Sequence, residues 1–69
     1  MKRSAVIKKL RYEAKRRGLE FVEIKLSRHD AYRVGNTTRT LGRHREIDDT
    51  TARKFFDQYA SELGKGWWR

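Results

Sequence analysis

Sixty-nine residues allow one domain with one small core, and a chain of this length buries only about 60% of the surface it exposes when unfolded, which excludes a large enclosed active site. The absence of cysteine excludes disulfides and thiolate metal sites, and with two histidines a zinc site would have to recruit carboxylates. Eighteen Lys and Arg against nine Asp and Glu give a net charge of +9, a self-repulsion best understood as preparation for a polyanion.

From Arg3 to Arg17 the apolar residues Val6, Ile7, Leu10 and Ala14 recur at helical spacing, with Ser4 as a candidate N-cap and Gly18 as the stop. The other faces of this helix hold Lys8, Lys9, Arg11, Lys15, Arg16 and Arg17. The triplet Lys15-Arg16-Arg17 suits the negative end of the helix dipole and would equally serve phosphate contact. Residues 1–17 carry eight basic groups and one acid, residues 25–45 carry six and one, and residues 46–63 carry five acids with only Arg53 and Lys54. The first two thirds are thus expected to face the anion, and the last third is not.

Glu20 to Leu26 alternates, which predicts a half-buried strand with Val22, Ile24 and Leu26 on one face and Glu23 and Lys25 on the other. A second strand is expected over Asp30–Val34. Gly35-Asn36 then makes a two-residue hairpin turn, because both residue types accept a positive φ, and Thr37–Leu41 completes a three-stranded antiparallel meander. Asp48 or Asp49 starts a second helix whose apolar stripe is Phe55, Phe56, Tyr59 and Leu63, and Gly64 ends it. The core is expected where this helix meets Val22, Ile24, Leu26, Tyr32, Val34 and Leu41.

The expected fold is therefore α+β in the order α-β-β-β-α, with both helices on one face of the sheet and the other face open. Residues 1–64 make up the single domain and 65–69 a short tail. No apolar run approaches the ~20 residues of a membrane span, and the basic start lacks the apolar segment of a signal peptide, so a cytoplasmic protein without membrane contact is expected.

The stretch Lys25–Val34 sets His29 among cations at a change from alternation to turn, where an imidazole able to accept and donate a proton near neutral pH would meet an anion held by Lys25, Arg28 and Arg33. Strand parity places His29, Ala31 and Arg33 outward if Tyr32 and Val34 face the helices, and Thr38 and Thr40 outward if Leu41 faces inward. The same parity, if Gly42 does not break it, puts His44 outward. The open face then gathers Lys25, His29, Arg33 and His44. Asp30, adjacent on the strand, points away from the imidazole.

Five short motifs stand in order along the chain. They are Met1-Lys2-Arg3-Ser4 with Val6, Ile7 and Leu10; Phe21-Val22-Glu23; Ser27-Arg28-His29-Asp30-Ala31-Tyr32; Leu41-Gly42-Arg43-His44; and Glu46-Ile47 followed by Arg53–Tyr59. In that order and spacing the chain resembles, over nearly its whole length, the HicA-type toxins, the ribonucleases of type II toxin–antitoxin systems. Leu26 and Gly42 stand where the family usually has glycine and often has proline, and the double-tryptophan tail lies outside the pattern. The resemblance implies a fold similar to double-stranded-RNA-binding domains, metal-independent cleavage of mRNA without a cofactor, and neutralisation by a HicB-like antitoxin.

Carried over residue by residue, the resemblance gives His29 the catalytic place. RNA cleavage requires the 2′-hydroxyl to lose a proton and the 5′-oxygen to gain one, and cations beside the phosphate stabilise the charge that builds on its oxygens. Arg28 and Arg33, then Lys25, are the candidates for that role, with Arg43 and His44 as further RNA or phosphate contacts. Without the resemblance, His29 reads as a surface histidine that hydrogen-bonds its turn or touches phosphate, in a non-catalytic RNA- or DNA-binding module of similar fold. His44 is read as supporting the site or binding phosphate, Tyr32 as core, Ser27 as a turn cap, the acids of 46–63 as caps and surface charges, and Trp67-Trp68 as docking rings.

Overall fold

The chain runs α1 (Arg3–Arg16), β1 (Phe21–Lys25), β2 (His29–Val34), β3 (Thr37–Gly42), α2 (Asp49–Asp57) and α3 (Ala60–Leu63) in the computed structural model, which describes residues 1–69. The strands form one antiparallel sheet in the order β1-β2-β3. Side chains from α1 (Val6, Leu10, Ala14), from the sheet (Tyr32, Val34, Leu41) and from the carboxy-terminal helical segment (Phe55, Phe56, Tyr59, Leu63) make a single core on one sheet face. The α-β-β-β-α layout with an open sheet is as expected, and no helix is long and apolar enough to cross a membrane.

Ser4 is not the cap of α1. The N-cap is Lys2, which makes no capping side-chain bond; the Arg3 N–H is satisfied instead by the Arg45 carbonyl at 2.8 Å, and the Ile47 N–H by the Met1 carbonyl at 2.8 Å. A tertiary backbone contact thus does the work that a capping side chain does elsewhere. At the other end Gly18 (φ 71°) closes a Schellman motif, its N–H on the Lys15 carbonyl (3.0 Å) and the Leu19 N–H on the Ala14 carbonyl (2.9 Å).

β1 has the opposite facing to the one its apolar alternation predicts. Cross-strand partners share a face, and the pairs Phe21↔Val34 and Glu23↔Tyr32 therefore turn Phe21, Glu23 and Lys25 toward the helices. Phe21 stacks on Tyr32 with centroids 6.0 Å apart, and Glu23 accepts the Tyr32 hydroxyl at 3.1 Å. Val22 and Ile24 face the open side and do not enter the core; Ile24 and Leu26 are 38% and 45% exposed. A slip of one residue flips a whole strand, and here the pairing set by the β1–β2 turn outweighs the alternation of three aliphatic residues.

At the second turn only Gly35 has positive φ (59°), Asn36 does not, and the pattern is that of a type II′ turn. The carboxy-terminal helix is not continuous either. Asp48 caps α2, accepting from the Thr51 N–H at 3.1 Å and its hydroxyl at 2.6 Å, but the helix breaks at Gln58-Tyr59, where bonds tighten to three-residue spacing. The break accompanies insertion of the buried Tyr59 phenol against the sheet, where it donates to the Tyr32 carbonyl at 2.7 Å; burial pushes its pKa up. The tail docks on α2: Trp67 Nε1 donates to the Phe56 carbonyl (2.8 Å), Trp68 Nε1 to Asp57 (2.6 Å), and both rings pack on Phe56.

Candidate active site

The turn that carries His29 is held from below by a buried carboxylate. Asp30, 2% exposed, faces the helices and accepts the Arg3 guanidinium at 2.9 Å on one oxygen and Arg43 Nε and Nη2 at 3.1 and 2.9 Å on the other. Arg43 also donates to the Leu26 carbonyl and to the His29 carbonyl (3.4 Å), while the Leu26 N–H reaches the His29 carbonyl at 3.0 Å. One guanidinium therefore ties both ends of the Leu26–His29 turn to the sheet, with two of its N–H groups converging on a single carboxylate oxygen, a planar arrangement of donors that lysine cannot reproduce. The Arg43 bond, aided by the charges of Arg43, Lys25 and Arg3, holds the Asp30 carboxyl below the ordinary carboxylate range against the opposing effect of burial.

Arg3 extends the same network. Its Nε donates to the Gly42 carbonyl (2.8 Å) and its Nη2 to the Tyr32 hydroxyl (3.0 Å), so α1 pins the end of β3 directly opposite the turn. Burial pushes the Tyr32 phenol up, which keeps it a hydrogen-bonding group.

On the other face His29 is exposed, and its strand partner is Gly42. Beyond β3 the alternation continues: Arg43 turns down to Asp30 and His44 turns up. A Cβ placed on Gly42 would lie 3.2 Å from Cδ2 and 3.6 Å from Nε2 of His44. That position points to the same side as the His29 side chain, since direct partners share a face with Cβ atoms about 5 Å apart. The two imidazoles therefore flank one bare stretch of backbone. From there a groove of about 300 Å³ runs around the β3 edge to α2, lined by His29, Thr40, Gly42, Thr51, Lys54 and Gln58.

Of the cations expected beside His29, the structure brings only some to it. Arg28 stands exposed at the turn tip. Lys25 lies on the helix-facing side, 3.9 Å from Glu23 and 4.0 Å from Asp30, because of the reversed facing of β1. Arg33 faces the open side but is four residues along β2, roughly 13 Å from His29, and is engaged by Glu20 and by the Gly35 carbonyl at 2.7 Å. Arg43 is occupied in the clamp.

Lys54, placed by its sequence in the acidic last third, instead lines the His29 groove and is exposed there. Its position three residues after Thr51 and four before Gln58 gives one polar face on α2, but only the packing of α2 along β3 aims that face at the histidine. No group of three or more His, Asp or Glu side chains stands close enough together to hold a metal ion.

Searches of family models, of curated proteins and of solved structures gave no match to the chain.

Proposed function

We propose that the protein is a small toxin ribonuclease that cleaves mRNA by proton transfer at His29, without a metal or other cofactor, and that a HicB-like antitoxin neutralises it in the cytoplasm. The observation that carries this reading is the placement of His29. Its imidazole is exposed and lines a groove, on backbone locked from behind by Asp30 and Arg43, with Lys54 on the wall of the same groove and Arg28 exposed beside it on the turn.

Rigid presentation matters because proton transfer requires hydrogen-bond reach, and misplacement by about 1 Å can cost 10²-fold. In RNA cleavage the 2′-oxygen attacks phosphorus as it loses its proton, and the 5′-oxygen leaves as it gains one. A shallow, open, cationic site suits a strand of phosphodiesters, and the net charge of +9 favours encounter with a polyanion. The resemblance in motif order to the HicA-type toxins supports the same chemistry and the antitoxin partner.

The test is induced expression of the wild type and of His29→Ala in cells without the antitoxin. Wild type is expected to arrest growth with loss of mRNA, and His29→Ala, expressed and folded equally, to do neither. In vitro, cleavage should persist in EDTA. Equal toxicity of the variant would remove His29 from the mechanism. RNA binding without cleavage by the wild type would favour a non-catalytic binding module.

A further inference from the structure

We propose that His44 is the second proton-transfer group of the reaction, paired with His29 across Gly42; this rests on the ribonuclease reading above. Two features of the structure converge on it. The register pairs His29 with Gly42 on the open face, and the point where a Gly42 side chain would begin is 3.2 Å from the His44 ring. Adding the ordinary cross-strand Cβ separation to the 3.6 Å measured to Nε2 puts that nitrogen within roughly 9 Å of the His29 Cβ. Over that span, with the exposed His29 ring free to turn, one phosphate seated above Gly42 is within reach of both imidazoles.

Gly42 makes the arrangement possible. Any side chain there would press on the His44 ring, and the Gly42 carbonyl is held by Arg3 Nε at 2.8 Å, so the bare segment cannot slide away. His44 in turn is aimed upward because Arg43, its neighbour, is drawn down to Asp30 on the opposite face. Clamp and pair are thus one device: the Asp30–Arg43 contact fixes the turn under His29 and the direction of His44 together.

The chemistry needs two such groups. One imidazole, neutral at the start, takes the 2′-hydroxyl proton as the 2′-oxygen–phosphorus bond forms. The other, starting as imidazolium, gives its proton to the 5′-oxygen as the phosphorus–oxygen bond breaks. The products are a 2′,3′-cyclic phosphate and a 5′-hydroxyl, and the enzyme is left with its two protonation states exchanged, to be restored by solvent. Lys54 in the adjoining groove is placed to meet the phosphate oxygens.

The test compares wild type, His29→Ala, His44→Ala and His44→Gln on RNA and on the four nucleoside 3′-(4-nitrophenyl phosphate) esters, whose leaving group departs without a proton. His44 is exposed, so its variants are expected to fold; His44→Gln keeps the bulk over Gly42 and controls for packing. On RNA both His44 variants should lose about 10²-fold or more, and the bell-shaped pH profile of the wild type should keep a single limb in each alanine variant. On the ester that the wild type cleaves best, only one of the two alanine variants should recover to within about tenfold of wild type, and that variant identifies the acid. A His44→Ala enzyme that keeps both limbs on RNA overturns the pairing while leaving His29 chemistry standing. A wild type that forms no cyclic phosphate from any substrate overturns the ribonuclease reading along with it.

Discussion

Gly42→Ala adds one methyl group on the bare backbone opposite His29 and beneath the His44 ring. The new Cβ would stand 3.2 Å from His44 Cδ2, against 3.4–4 Å for ordinary contact, so the ring must retreat by about 0.2–0.5 Å. The backbone cannot take up the difference, because Arg3 holds the Gly42 carbonyl and the β2–β3 ladder holds its register with His29. Gly42 does not have a positive φ, so alanine is not strained there and should stabilise by about 0.4–1 kcal/mol through the unfolded chain. If misplacement costs about 10²-fold per ångström, that retreat costs roughly three- to tenfold in rate. Urea denaturation paired with initial rates on a short fluorescent RNA separates the two effects. A variant as active as wild type would refute the claim that the His44 ring position matters. One destabilised by more than about 1 kcal/mol would show that the glycine serves the fold instead.

Two further outcomes test the framework around the site. Tyr59→Phe removes the phenol that donates to the Tyr32 carbonyl in the core and should cost about 1–2 kcal/mol, lowering the melting temperature by roughly 5–15 °C; an unchanged melt would mean that this buried bond adds no net stability. Glu13, bonded by Arg16 at 2.7 and 3.1 Å and by Arg17 at 2.6 Å, has its carboxyl pulled from 4.5 down to about 2, mainly by those bonds, with burial opposing. Its folded value lies below its unfolded one, so its contribution is complete above about pH 4.5 and fades as the pH falls toward 2. Glu13→Gln should therefore be less stable than wild type at neutral pH and should show a shallower acid decline in that window, measured as urea midpoints from pH 2 to 6. Parallel curves would remove Glu13 from the acid transition.

How much of this could be read without coordinates differs from segment to segment. Helical spacing at Val6, Leu10 and Ala14, the Gly18 stop, the Gly35-Asn36 hairpin and the Asp48 cap are local signals: each depends on residues a few positions apart, and each appears where expected, within a residue or two. The parity of β2 is of the same kind, because Tyr32 and Val34 are large and apolar beside His29 and Arg33, and that alternation suffices to put Asp30 and His29 on opposite faces. The facing of β1 is not. Val22, Ile24 and Leu26 form as good a stripe as Phe21 and Glu23, and only the cross-strand register decides which enters the core.

The same division runs through the site. Composition, charge and the chain's own alternation were enough to single out His29 as an outward imidazole on a basic protein. Everything that gives it neighbours is long-range: the clamp joins Arg3, Asp30 and Arg43, and the groove brings Lys54 from α2. Lys25 and Arg33, close to His29 in sequence, are carried away from it by strand facing and by strand length. His44, fifteen residues distant, is brought beside it because an antiparallel ladder returns the chain to the same place and a glycine there leaves the space open.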